Sequence, residues 1–219
     1  MKTCVLLGDR SDLAQAMLPF LLADGWTVHG WNRGSSSLPV ADWDLLLIAI
    51  GTVAPVGPWP GLSFRGCFES NLLLPLDLLQ RMWPQRNPSA SVCWLAGSNP
   101  QRIMYGYAPY NTSKMGLLKL IEQLDYEEPD CKFFALGPGY VKTKIHRATL
   151  DANWPNERIA RGDEGTPIER IYECLKWCID APKIAVGGRN IVASDPWDSP
   201  AFADQLRLRP DMFKLRRVE

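Results

Sequence analysis

Runs of apolar residues alternate along the chain with longer stretches whose apolar positions recur at helical spacing. The runs predict strands at residues 3–7, 27–31, 44–50, 91–95, 132–136 and 191–193. Residues 45–50 are apolar throughout, as a strand covered on both faces requires. The helical spacing predicts helices over residues 12–24, 68–82, 110–126 and 167–180. Gly25 follows the first as a stop signal, and Pro75 is expected to kink the second. This alternation predicts an α/β fold, a doubly wound and largely parallel sheet, formed as a single domain over residues 1–219. No internal repeat or low-complexity segment interrupts it.

Two loops that follow strand ends mark the expected ligand side, because open α/β sheets bind ligands outside the carboxyl ends of their strands. Residues 51–66 are rich in Pro, Gly and Trp, and residues 138–165 are long enough to cover a substrate. Charge narrows the partners. Lys+Arg and Asp+Glu both number 24, which argues against a general nucleic-acid or anionic-membrane binder. No apolar run approaches the roughly 18 residues of a membrane span. The apolar start that ends at Gly8 is shorter than a signal sequence, so a cytoplasmic location is expected. Cys4, Cys67, Cys93, Cys131, Cys174 and Cys178 are scattered without a C-x-x-C. Cys174 and Cys178 share a helix face but lack partners at metal spacing, so no metal centre is expected. The tail from Trp197, with Arg207, Arg209, Lys214, Arg216 and Arg217, is expected to be a solvated surface or a subunit contact.

Tyr110 and Lys114 carry the chemistry. Four residues apart on a helix, they share a face. An ammonium beside a phenol favours the phenolate and lowers a pKa that is ordinarily about 10, so such a tyrosine can exchange a proton at neutral pH. A tyrosine half-buried on an amphipathic helix with a lysine snorkelling past it would give the same spacing. Upstream, the first strand runs into Gly8-Asp9-Arg10-Ser11-Asp12-Leu13-Ala14. A strand, a glycine turn and a helix start form a cradle for a diphosphate, with N–H groups and the helix dipole facing the anion. Only Gly8 is a glycine here, and Asp12 also suits an ordinary N-cap.

Taken in order, these landmarks resemble the short-chain dehydrogenase/reductase family over roughly residues 3–195. Gly8-x-x-x-Asp12-x-Ala14 is similar to its cofactor turn with two glycines replaced. Residues 44–51 are similar to its strand ending in Asn-Asn-Ala-Gly but keep only Gly51, with Ile48 and Ala49 in place of polar residues. Asn71 matches the family's helix asparagine and Ser98 its catalytic serine, although a shift of one residue would put Gly97 in the serine's place. Tyr110-x-x-x-Lys114 matches in full, and residues 137–143 match the Pro-Gly turn and threonine that close over the nicotinamide.

The resemblance implies a Rossmann-like dinucleotide-binding oxidoreductase acting on a small-molecule carbonyl or alcohol. Tyr110 would be the proton donor or acceptor, Lys114 its electrostatic partner and ribose holder, and Ser98 the donor to the substrate oxygen. Asn71 would anchor a water or only brace backbone. Gly8, Asp9, Arg10, Ser11, Asp12, Leu13, Gly51, Pro138, Gly139, Val141 and Thr143 would hold the cofactor with Tyr110 and Lys114. Arg33 ends the second strand where an acid would select NAD(H), so NADP(H) is favoured, with Arg10 assisting at the 2′-phosphate. Candidate substrate walls are Val53, Tyr105, Tyr140 and His146, with Trp59, Phe64, Tyr107 and Ile145 beyond them. The basic run 142–147 suggests a phosphate- or carboxylate-bearing substrate. A homodimer or homotetramer through the two long central helices is implied. The alternative is an NADP(H)-binding sensor or scaffold with little turnover.

One departure is predicted to matter. Only residues 34–43 lie between Arg33 and Asp44, too few for the helix, strand and helix of a standard member. The outer edge strand should therefore be missing and the adenine pocket open.

Overall fold

A computed structural model describes residues 2–97, 100–152 and 162–215. Its six strands are β1 (Thr3–Leu7), β2 (Thr27–Trp31), β3 (Trp43–Ile48), β4 (Arg86–Leu95), β5 (Lys132–Gly137) and β6 (Asn190–Val192). They pair in parallel in the order β2-β1-β3-β4-β5-β6. As expected, β2 is an edge, and no strand lies between residues 34 and 42. The loop that replaces one packs Leu38 against the core, and the Ala41 N–H donates to the Gln85 side chain at 3.2 Å.

Each buried strand divides its side chains between two cores because successive residues point to opposite faces. Cys4 and Leu6 of β1 join one core with Leu45, Leu47, Cys93 and Phe134. Val5 and Leu7 join the other with Leu46, Ile48, Val92 and Trp94. The first core is covered by α1 (Asp12–Ala23) and α6 (Ile168–Asp180), through Met17, Leu21, Ile171 and Leu175. The second is covered by α3 (Leu74–Met82) and α4 (Ala108–Glu127), through Leu78, Met82, Leu117 and Ile121. This two-sided burial explains the apolar reading of β3.

One expectation changes. The stretch 68–82 is not one helix kinked at Pro75. A short α2 (Arg65–Phe68) passes into a π turn, Glu69–Leu73, where the Leu74 N–H reaches the Glu69 carbonyl, and α3 then begins with Pro75 in its first turn. Pro75 has no N–H to offer the Asn71 carbonyl, so the irregularity falls before the proline and not at it. The tail exposes Arg207 and Arg209, as expected, and is anchored from beneath. Trp197 is buried, and α8 (Pro200–Leu208) presses Phe202 and Leu206 into the first core; Arg216 and Arg217 lie outside the described residues. Two short helices complete the described structure, α5 (Arg147–Asp151) and α7 (Lys183–Val186).

All six cysteines are free and buried. Burial holds the Cys4, Cys93 and Cys178 thiols well above the ordinary range and pushes Cys131 up to about 12. An acid whose pKa is raised on folding contributes stability that is complete below its unfolded pKa and is lost as pH rises. Each such thiol costs about 1.4 kcal/mol per pH unit once the unfolded chain ionises near pH 8.5. Lys114, lowered to about 8, acts in the opposite direction between there and roughly pH 10.4. Five thiols, with Cys67, outweigh two lysines, with Lys132 also lowered by burial, so the urea midpoint should fall between pH 8 and pH 10. A constant or rising midpoint would contradict this balance. Among the described residues no helix is long and apolar enough to cross a membrane, and no group of three or more His, Cys, Asp or Glu is placed to hold a metal.

Candidate active site

The carboxyl ends of β1, β3, β4 and β5 open into a cavity of about 520 Å³. Gly8 begins it. Its φ of +86° and its closeness to Ala49, whose carbonyl would lie 2.9 Å from any Cβ, both demand glycine. The Gly8 and Asp9 N–H groups donate to the Trp31 carbonyl at 2.7 and 3.1 Å, which ties the turn to β2. Ser11, and not Asp12, caps α1, its hydroxyl accepting from the Ala14 N–H at 3.2 Å. Asp12 is drawn away by Lys144. Its carboxylate accepts the Lys144 backbone N–H at 2.7 Å and pairs with the ammonium at 2.9 Å, and these bonds hold its pKa below the usual range. The Lys144 ammonium also donates to the Arg10 carbonyl at 3.1 Å, so the segment after Thr143 is fastened to the glycine turn.

The β2 side is built differently from the rest. Asp9 accepts from the Asn32 amide at 2.9 Å and lies over Gly30, where any side chain would strike its carboxylate. The Arg33 guanidinium donates to the Ser70 hydroxyl at 3.0 Å, and Arg10 extends toward Gly34. Arg33, Arg10, Asp9 and Gly8 stand beside the main cavity and do not line it.

Asn71 sits in the π turn, fully buried. Its oxygen accepts the Thr52 N–H at 2.7 Å, while its amide donates to the Thr52 carbonyl at 3.0 Å and to the Ser113 hydroxyl at 2.8 Å. Both amide hydrogens are used, so its side chain braces the backbone after β3. Of the two roles expected for it, this is the one the geometry displays. Gly51 lies between Asn71 and Lys114, and a Cβ there would come 3.0 Å from the Asn71 oxygen and 3.5 Å from the Lys114 ammonium.

Tyr110 and Lys114 both line the cavity from the first turns of α4. Lys114 is buried, donates to the Leu95 carbonyl at 3.0 Å, and is lowered by burial to about 8. Burial pushes the Tyr110 phenol up to about 12, opposite to the direction expected from its lysine. Desolvation by burial sets this direction, and Cys67 acts the same way. A Cβ on Gly97 would lie 2.9 Å from the Tyr110 hydroxyl, so the residue facing the phenol is a glycine. Ser98 lies outside the described residues. Asn190 holds the Gly97 carbonyl at 3.1 Å.

Ser11, Asp12, Leu13, Gly51, Pro138, Gly139, Val141 and Thr143 line one part of the cavity. Val53, Tyr107, Tyr140, Ile145 and His146 line the other. His146 lies in a 3₁₀ turn, Lys144–His146, with its ring 5.1 Å from that of Tyr140 and its pKa lowered by burial. Tyr105 is 77% exposed and Trp59 70% exposed, and neither they nor Phe64 form the wall. Those aromatics lie on segments that turn outward, and the apolar wall is completed by Met104 and Ala148. The sequence offered no signal for Thr52 or Ser113 as partners of Asn71, since both contacts join distant segments.

No protein-family model matches the chain, and no curated protein does. Solved structures do. A small-chain dehydrogenase in complex with NADPH superposes with a TM-score of 0.73 at 14% identity, covering 87% of this chain and 95% of that one. BdcA in complex with NADPH gives 0.70 at 18% identity, with 87% and 92% covered. The aldohexose dehydrogenase of Thermoplasma acidophilum, in ligand-free form, gives 0.70 at 13% identity, with 91% and 95% covered. The chain thus has the fold of the short-chain dehydrogenases/reductases in a divergent form.

Proposed function

We propose that this chain of short-chain dehydrogenase/reductase fold is an NADP(H)-dependent oxidoreductase that interconverts a carbonyl and an alcohol. The observation that carries this is the placement of Tyr110 and Lys114 in one cavity with the α1 start and the Pro138–Thr143 turn. The residues present fit a dinucleotide. Gly8 and Gly51 keep backbone close where side chains would intrude, and the start of α1 offers N–H groups to a diphosphate. NADPH, when bound, supplies the hydride. Lys114 would donate to its ribose hydroxyls, with Gly51 leaving the ammonium room. Tyr110 would deliver the proton from its hydroxyl to the carbonyl oxygen, and would take it back in the reverse direction. The apolar walls, Val53, Met104 and Ile145 among them, would exclude water from that oxygen.

Arg33 and Arg10 would hold the 2′-phosphate, Arg33 already steadied by Ser70. Arg33→Asp should then weaken NADPH binding by about tenfold or more, equivalent to about 1.4 kcal/mol, and narrow the gap to NADH. Unchanged NADPH affinity in a fluorescence titration would remove this assignment. We also propose a cytoplasmic homo-oligomer. The half-exposed Leu73 lies on the outer side of the π turn, in the region of the central helices.

The decisive experiment is titration with NADPH and NADH, followed by a carbonyl panel read at the NADPH absorbance. Oxidation of NADPH by a panel member supports the enzyme. Tight binding without oxidation would favour a sensor or scaffold. Failure to bind either nucleotide would overturn both.

A further inference from the structure

The charged groups around the cavity are uneven. Among the described residues Arg102, Lys114, Lys144 and His146 line it, against a single carboxylate, Asp12, which Lys144 occupies. Lys114 faces the proposed ribose. In the basic run expected to bind an anion, Lys144 is held by Asp12, and Arg147 points to Asp151 at 3.6 Å on the surface. Arg102 is the remaining permanent cation of the wall, and no acid lies within ion-pair distance of it among the described residues. Its backbone is fixed relative to the phenol, because the amide of Asn111, next to Tyr110, donates to the Arg102 carbonyl at 3.1 Å. Around it the wall is apolar, formed by Met104, Tyr107, Val53 and Ala148.

We infer that the substrate is an oxo acid, or the matching hydroxy acid, with a modest apolar body whose carboxylate pairs with Arg102. This deepens the oxidoreductase reading and rests on it. Hydride from NADPH and the Tyr110 proton add across the C=O bond, giving C–H and O–H and leaving NADP⁺. The carboxylate is unchanged and serves only to orient the molecule. A guanidinium offers it two parallel N–H donors, which an amide or ester cannot match.

Calorimetric titration of the full chain with 3-phenylpropanoate and with 3-phenylpropanamide tests this without turnover. The acid should bind about tenfold more tightly than the amide, about 1.4 kcal/mol. The preference should shrink at high salt because Arg102 is exposed to solvent. Arg102→Gln should bring the acid down to the affinity of the amide, and Arg102→Lys should keep part of the difference. An unchanged thermal midpoint in Arg102→Gln would show that the fold persists. Equal affinity of the two probes, no binding of either at millimolar concentration, or a preference that survives Arg102→Gln would each overturn the inference. NADPH titration of the same proteins reads the oxidoreductase assignment separately. NADPH bound without acid preference rejects only the carboxylate, and NADPH unbound rejects the underlying activity.

Discussion

Tyr110→Phe is expected to lower turnover by about a thousandfold while leaving NADPH affinity within about a factor of two. General acid–base groups contribute about 10²–10⁴ in rate, and this substitution removes only the hydroxyl that would carry the proton. The ring keeps its place, since Tyr110 packs against the small cluster of Val53, Val56 and Tyr107. The lysine keeps its own anchor at the Leu95 carbonyl, so nothing that faces the ribose is disturbed. The substitution removes one hydroxyl from a cavity wall and leaves the ring's packing intact, so the fold should persist. Stopped-flow reduction with saturating NADPH separates the chemical step from binding. Activity of Tyr110→Phe within a few-fold of the parent would show that the proton comes from elsewhere, and a parallel loss of NADPH affinity would make the effect structural. Lys114→Met should differ in kind, impairing NADPH affinity and rate together.

What the sequence disclosed and what it hid divide along the range of the interactions. The missing edge strand was legible because a count of residues between Arg33 and Asp44 leaves no room for a crossover, whatever their identity. The shared cavity face of Tyr110 and Lys114 followed from helical spacing alone. That Asp12 is not the N-cap was not legible locally, because its carboxylate answers to Lys144, far along the chain, while Ser11 caps the helix. The phenol pKa was misjudged for a related reason. Spacing reports the lysine but not the desolvation, and desolvation sets the sign. The π turn at Asn71 needs both Pro75 and the Thr52 and Ser113 contacts, only the first of which is local. In the tail, the basic residues marked a surface that the structure keeps, while the burial of Phe202 and Leu206 beneath it depends on partners far along the chain.

Arg189→Met is expected to destabilise the protein by about 3 kcal/mol or more, a fall of about 6–12 °C in the thermal midpoint for a chain of this size. Arg189 is 2% exposed. Its Nε donates to the Met212 carbonyl at 3.1 Å and Nη1 to that of Ile184 at 2.9 Å. Nη2 lies at 2.8 Å from the carbonyl of Leu206, 3.2 Å from Pro210 and 3.4 Å from Arg209. Burial lowers the guanidinium pKa, and the charge is borne by these carbonyls, several of them at the C-terminal end of α8, where a helix favours a cation. Methionine fits the volume but leaves buried acceptors without donors, and each such group costs about 1–3 kcal/mol. Lysine keeps the charge but cannot span the fan of carbonyls, so Arg189→Lys should fall between the two. The loss should reach the site, because α8 and β6 are what Arg189 joins. The neighbouring Asn190 donates its backbone N–H to the Phe213 carbonyl and its side-chain amide to the Gly97 carbonyl, beside the Tyr110 hydroxyl. Urea unfolding measures the stability, and amide hydrogen exchange locates it, with α8 and β6 expected to lose protection first. A loss below about 1 kcal/mol would mean that water satisfies the carbonyls and that the guanidinium is not what holds the C-terminal helix to the sheet.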